Sequence, residues 1–581
     1  MKLVLYLVTI FLLGAAIFNV EKTENRINYI VNVFLTMVLS QCVITFVGGL
    51  LGLFGMPVCC YSICPIVCLI ALAMIYHSRN NKQKITYSKE VWLYLGLTIT
   101  AVLIFWITYY GFRLNLRFVS VDASVHARFA KQIAFEHTIS SNLFYSYLSD
   151  GLFMEAMTFF TGTEGFYHSF VFMRIVDLFV ACLGIYSVFS TCVKNSYQGK
   201  LSIIFSFLYM LGYPLYTILF GFVYFGASIT VVTAIVVVLI IYHKQCIFES
   251  VFYVSLNLLL FGVFTSYTLF VPPVFLSIFI YYIIYNRRDY GVISKQMFLK
   301  LITIFAVPCI LGMAYAWVNL KEITPGGAVG RDGGRYFDLY SNFVLMMPFI
   351  LAYFYHQFKQ KHFDFVLIFF GISLCFTILL IVASFADIVS IYYMSKMYNI
   401  IWLCSFYAVF YMVCTYSKEW KILINTGLMT ILFLLGMTVL RIDKKLNETK
   451  QYVNVDSASF MNLYAFNGNF YKAQPRISQE AIEMFYKVEG YIEDSYDDSI
   501  VTYVGDEITG NWYITFTDQY SIYVGNSIDE LKKYVEEKKS SYLCVHKTSV
   551  SEELMTSMTE FGTVVDEGST WEIIQVEYYG K

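Results

Sequence analysis

A chain of 581 residues with 58% hydrophobic, 19% aromatic and only 14% charged residues, and a mean hydropathy of +0.62, holds more apolar surface than a soluble core can hide. A soluble fold is excluded, the chain reads as a polytopic membrane protein, and no nucleic-acid partner is expected. The formal net charge of −1 masks an uneven division: residues 441–581 hold 13 Lys and Arg against 24 Asp and Glu, leaving 27 against 17 for residues 1–440. Two parts of such opposite charge face different environments.

Apolar runs long enough to cross about 30 Å of hydrocarbon begin near Leu3, Ile27, Pro57, Val91, His168, Leu201, Phe222, Val251, Leu269, Leu299, Ser341, Phe365, Met397 and Ile422. That predicts about fourteen transmembrane helices. The first run ends in "NVEKTENRIN", which lacks a small-residue cleavage site, so it is expected to stay as a helix. Most of the 13 cysteines fall inside these runs and read as small core hydrophobes. Cys60, Cys64 and Cys68 share a helix face at four-residue spacing, but with no nearby His or acid to complete a metal set they read as helix packing. Cys544 alone lies in a soluble stretch.

The short loops "HSRNNKQKITYSKE" (77–90), "VKNSYQGK" (193–200), "HKQ" (243–245), "NRRDYGVISKQ" (286–296), "KQKH" (359–362) and "SKEWK" (417–421) are basic and fall on one side of that arrangement, the cytoplasmic side by the positive-inside rule. The long loop 112–167, the Gly-rich loop 320–341 and the acidic tail 441–581 then lie together on the outer face. The expected organisation is a multi-pass cell-membrane domain over 1–440 and an extracytoplasmic domain over 441–581.

In the tail, "SIVTYVG" (499–505) and "YSIYVG" (520–525) read as strands, "SIDELKKYVEEKK" (527–539) as a capped helix and "SYLCVHK" (541–547) as a strand. "SEELMTSMTEFG" (551–562) follows as a helix and "STWEIIQVEYY" as a last strand, an alternation that predicts a small α/β domain. Its acids, such as Asp506 and Glu507, read as an ordinary solvated surface.

The outer loop opens with "FVSVDASVHARFAKQIAFEH" (118–137). Ser120 is placed to cap a helix from Val121 to about His137, with Val121, Val125, Phe129, Ile133 and Ala134 near one face, suited to lying flat on the membrane. Asp122 and His126 are one turn apart, so a carboxylate and an imidazole can point together into a cavity between the spans. The plainer reading is that Asp122 favours the helix N-terminus through its dipole and His126 is an interfacial side chain.

The run "SVDASVHARFAKQIAFEHTIS", set between N-terminal and later spans and followed by an outer α/β tail, resembles the GT-C superfamily of bacterial polytopic membrane glycosyltransferases. The resemblance implies a GT-C-like, mainly α fold and transfer of a sugar, with inversion, from a polyprenyl-phosphate-linked donor to a cell-envelope glycan, lipid or protein acceptor. It places Asp122 as the catalytic base or acceptor ligand. Such a base needs a fixed cation for the departing lipid phosphate. Lys396, in "SIYYMSKMYNIIW", is the first candidate, against its plainer reading as a snorkelling lysine. Arg331 and Arg335, in "PGGAVGRDGGRY", are further candidates to clamp the phosphate, with His126 beside it. Many members of the superfamily carry paired acids near this loop, whereas "VSVDASVH" has one; Asp150 and Glu155, in "YLSDGLFMEAM", are the candidates for a second acid or an acceptor contact. No metal ligands are assigned, and a divalent metal ion stays open. Arg174 and Asp177, three apart in the next span, read as a structural ion pair. The rival readings are a transporter or flippase of lipid-linked saccharides, which would be expected to show internal repeats, and a polysaccharide polymerase or ligase.

Overall fold

The structure, a computed structural model, describes residues 1–18, 28–78, 89–139, 148–244, 246–290, 294–320, 343, 346–390, 392–416, 463–464, 467–468, 471, 477–493 and 500–577. Sixteen helices precede the tail in the described residues: α1 (Lys2–Phe18), α2 (Tyr29–Leu53), α3 (Cys60–Ser78), α4 (Lys89–Phe105, continued by a π turn through Tyr110), α5 (Asp122–Glu136), α6 (Leu148–Thr161), α7 (Phe166–Ser190) and α8 (Ser196–Met210). There follow α9 (Tyr213–Phe220), α10 (Val223–His243), α11 (Glu249–Ser266), α12 (Val271–Tyr290), α13 (Lys295–Leu320), α14 (Met347–Lys359), α15 (Phe365–Phe385) and α16 (Tyr392–Thr415).

Ten stretches of these are long and apolar enough to cross a membrane, and α1 and α3 are shorter apolar helices. The count of fourteen is not reached among the described residues: the run expected from Ile422 lies outside them, and α14 has only 13 residues. Hydrophobic residues on every side of α10 go with burial on nearly every side, as a helix at the centre of a bundle requires. By contrast, α4 and α13 leave Trp92, Leu93, Ile104, Ile302, Ile310 and Trp317 exposed, the apolar surface a lipid-facing helix presents.

The two ends of α10 identify the two ends of the bundle. At its start, Val119 N–H donates to the Leu219 carbonyl (3.0 Å), tying the entrance of α5 to the last turn of α9, just before α10. Past its last turn a cavity of about 410 Å³ is lined by Lys194, His243, Lys244, Lys361 and His362, which belong to three of the basic loops. A helix of 21 residues is about 30 Å long, so α5 and these basic loops occupy opposite ends, as the Lys and Arg pattern requires.

The tail comprises α17 (Gln479–Glu493), β1 (Ile500–Val504), α18 (Glu507–Thr517), β2 (Ile522–Tyr523), α19 (Ile528–Lys538), β3 (Ser540–His546), α20 (Glu552–Ser557), β4 (Gly562–Glu567) and β5 (Trp571–Val576). The sheet order is β2-β1-β3-β5-β4; β1 pairs parallel with β2 and β3, while β5 pairs antiparallel with β3 and β4. Alternation sorts the strands between two cores. Cys544 and Ile573 face the cluster that continues into the bundle, and Leu543, Val545 and Ile574 face a second cluster with Leu531, Val535 and Met558.

The sequence reading misses α17, α18 and β4. "EITGNWYITFT" is rich in residues that favour strands, yet it is a helix. Asp506 caps it, accepting from Thr509 N–H at 2.9 Å, and Trp512, Tyr513, Ile514 and Phe516 are all buried; tertiary burial overrides propensity. Asp506 is therefore more than solvated surface. Burial would raise its carboxyl, but bonds with His546, Thr509 and Ser549 outweigh that and hold it well below the usual carboxylate range.

Candidate active site

The entrance of α5 is held by one hydroxyl. Ser120 Oγ accepts from Asp122 N–H (3.1 Å) and shares its proton between the Phe220 carbonyl (2.9 Å) and Asp122 Oδ2 (3.2 Å). Ser120 is not the N-cap that was expected: α5 begins at Asp122, Val121 stands at the N-cap without a side-chain cap, and Ser120 reaches only the first N–H of the helix. Gly221, at φ +68°, is needed for this approach: a Cβ on it would stand 2.4 Å from Ala123 Cβ.

α5 does not lie bare on a lipid surface. Ala123, Ser124, Ala127, Ala130 and Ala134 are buried, while Val121, Val125 and Phe129 of the expected apolar face are half-buried. Small side chains let other helices come close, and the tail's α18 packs on it: Thr515 Oγ1 donates to the Ser124 carbonyl at 2.9 Å.

Three of the expected residues converge. Lys396, in the second turn of α16, is 5% exposed, with its Nζ 4.1 Å from the ring centre of Phe222, 4.6 Å from Tyr392 and 5.0 Å from Phe225. Three ring faces around a buried ammonium are favourable, and they exclude the reading of a lysine snorkelling to water. Asp122 is half-buried; burial raises its carboxyl above the ordinary 3.8, and the charge of Lys396 and the Ser120 hydrogen bond pull it back only in part. His126 is buried with its ring edge-on to Tyr224 at 4.7 Å. Its burial, followed by the positive fields of Arg174 and Lys396, pushes its imidazole well below its usual value, so the ring is neutral. A carboxylate, a neutral imidazole and a caged ammonium thus meet where α5, α10 and α16 begin.

The other described candidates make ion pairs of their own, Asp150 with the same Arg174 whose charge reaches His126. Asp150 Oδ2 lies 2.6 Å from Arg174 Nη2, and Asp177 Oδ2 lies 3.1 Å from the same nitrogen, so Arg174, 1% exposed, is held between two acids. The ion pair read from the Arg174 and Asp177 spacing is present, with Asp150 as an added member. Glu155 is fully buried, accepting from Cys60 N–H at 2.7 Å through Oε2 and pairing with Lys2 Nζ at 3.1 Å through Oε1. Arg331 and Arg335 lie outside the described residues.

Among the described residues no set of three His, Cys, Asp or Glu ligands gathers on Asp122, and the ammonium of Lys396 acts on its carboxyl. One such set does form, from Cys59, His137 and Glu155. It uses none of Cys60, Cys64 and Cys68, although Glu155 does come beside Cys60; His137 and Glu155 arrive from the end of α5 and from α6, far along the chain. The cage rings Phe222 and Phe225 also went unread, although "GFVYFG" places them beside Gly221.

No protein-family model and no curated protein matches the chain. Among solved structures, similar ones include the apo oligosaccharyltransferase of Archaeoglobus fulgidus, 10% identical over 78% of this chain and 69% of that one, with a TM-score of 0.46. ArnT from Cupriavidus metallidurans is similar in its apo state, at 12% identity over 83% of this chain and 97% of that one and a TM-score of 0.46. The same protein bound to undecaprenyl phosphate is 10% identical over 84% and 98%, with a TM-score of 0.45. At these identities and TM-scores the likeness assigns no activity and no residue role to this chain.

Proposed function

We propose that the chain is a membrane glycosyltransferase that moves a sugar, with inversion, from a polyprenyl-phosphate-linked donor to an acceptor on the outer face of the cell membrane. The observation that carries this is the buried Lys396 ammonium acting on the half-buried carboxylate of Asp122 without a direct ion pair between them. A lysine closed in a salt bridge would have no charge to spare for a ligand. Here the ammonium is held by ring faces alone among the described residues, so a phosphate diester oxygen is its natural counter-charge.

Each group then has one task. Lys396 binds the donor phosphate and stabilises the negative charge that grows on it as the glycosidic C–O bond breaks. Asp122 accepts the proton of the acceptor hydroxyl as its oxygen bonds to the anomeric carbon from the opposite face, which inverts the configuration. The neutral His126 orients the donor or Asp122. The tail, packed on α5, forms the ceiling of the site and contacts the acceptor, as an outer-face α/β unit over residues 441–581 would.

The test is release of polyprenyl phosphate by the purified full chain from a panel of polyprenyl-phosphate sugars, with an extract of cell-envelope glycans and lipids supplying the acceptor hydroxyl. Lys396→Met is expected to raise the KM for the donor and to lower kcat, because the charge is met before and during reaction. Equal release by wild type and Lys396→Met, or no release from any donor of the panel, would defeat the reading.

A further inference from the structure

Cys59, His137 and Glu155 come from three separate segments and meet on the end of the bundle that carries α5. Cys59 immediately precedes α3, His137 is the left-handed residue (φ 59°) that ends α5, and Glu155 is in α6. One ligand atom from each lies within 4.8 Å of the others. The backbone brings them there: Val58 N–H donates to the His137 carbonyl at 2.8 Å, which sets Cys59 opposite the imidazole. Cys60 N–H, one residue on, donates to Glu155 Oε2.

These contacts leave the ligand atoms available. His137 Nδ1 is shut off from solvent and has no hydrogen-bond partner among the described residues. Cys59 is a free thiol, 8% exposed, whose Sγ has one weak contact, to Ser62 Oγ at 3.5 Å. Glu155 is 0% exposed; Lys2 holds Oε1 and Cys60 N–H holds Oε2, but each carboxylate oxygen has a second lone pair. A buried imidazole nitrogen with nothing to bind is costly, and a cation resolves that cost at once.

We infer that Cys59, His137 and Glu155 form a structural site for a zinc-class divalent cation that fastens the end of α5 and α6 to the start of α3. The chemistry selects the class. One thiolate, one imidazole and one carboxylate are a borderline-soft set that suits Zn²⁺ and disfavours Mg²⁺ or Ca²⁺, which prefer oxygen alone. Tetrahedral zinc leaves a fourth position for water or for Ser62. Thiolate, carboxylate and Lys2 together carry a charge of −1, so a dication is not repelled. The site stands about 20 Å from Asp122, the length of α5, and does not depend on what Asp122 does. It holds the far end of the helix whose near end Ser120 holds.

The test is metal content of the purified full chain in detergent after dialysis against a zinc buffer. About one zinc per chain is expected for the wild type and for Cys64→Ala, and near none for Cys59→Ala with His137→Ala. The wild type loaded with cobalt is expected to show a thiolate-to-cobalt charge-transfer band, a readout that stands even where the double variant fails to fold. Wild type without bound zinc, full zinc in the folded double variant, or a cobalt form without the thiolate band would each overturn the inference.

Discussion

The Lys131 ammonium of α5 lies 2.9 Å from Asp518 Oδ2 and 3.1 Å from each of the Thr515 and Phe516 carbonyls, so it closes the C-terminus of the tail helix α18. A cation at a partly buried helix C-terminus contributes up to about 2 kcal/mol. Around it, Phe516 packs on Phe166 and Tyr167, and Trp512 stacks on Phe118. Lys131→Ala is therefore expected to loosen the tail from α5 while the bundle stays folded. Hydrogen exchange should speed up in α18 with α10 and α16 unchanged; identical exchange in both proteins would show that contacts other than Lys131 hold the tail.

Asp122→Asn keeps the shape of the side chain and removes the proposed base. Loss of a general base costs about two to four orders of magnitude in rate, and sugar transfer is expected to fall by at least about a hundredfold. Stability should hold or rise. A carboxyl with a raised folded pKa favours its protonated form in the folded chain; the stability this contributes is present below the unfolded value of 3.8 and is lost as pH rises through the folded value. Asparagine is free of that loss at neutral pH. A lower melting temperature with the lower rate would mean that the helix, not the base, had been damaged. His126→Ala is expected to be milder.

With Asp122 as the proposed base, the acid limb of the rate profile is expected to follow the same carboxyl. Burial raises it, while Lys396 and the Ser120 hydroxyl lower it. Proton acceptance needs the ionised form, so the rate falls as pH drops through this raised value. Ser120→Ala removes one of the two lowering contributions, and the limb should move to higher pH. A pH–rate series for kcat/KM measures it; a shift to lower pH, or none, would remove Asp122 from the role of base.

Asp150→Ala is expected to act on folding. It leaves the buried Arg174 with Asp177 alone, and breaking a buried pair costs about 3–5 kcal/mol. Asp150→Asn, which keeps an acceptor oxygen, should cost less. The melting temperature of the purified variants distinguishes this from an acceptor-binding role, which would lower activity at unchanged stability.

How far the site was legible depends on the range of each interaction. Hydropathy and loop charge are properties of local composition, so the polytopic class and the separation of the basic loops from α5 were readable without a fold. Asp122 and His126 were readable as a pair because a helix brings residues four apart together by its own geometry. Lys396 stands 274 positions after Asp122, and chemistry alone marked it; no local pattern could place it in a cage with Phe222 and Phe225. The mixed order β2-β1-β3-β5-β4 and the helix α18 depend on burial against the bundle, which strand propensity opposes.

Asp150 and Glu155 show the same division most sharply. Their sequence made them equal candidates, two acids five apart in one loop. Position in the fold separates them: one rotates toward Arg174 and the other toward Cys60 and Lys2. By itself the sequence determined the membrane class, the charge asymmetry and the helical pairing of Asp122 with His126, because these rest on composition and on contacts within one or two turns. Tertiary structure alone decided which charges are caged, which are paired and which cysteine meets an imidazole, because each such choice is a contact between segments whose meeting depends on how all the helices pack.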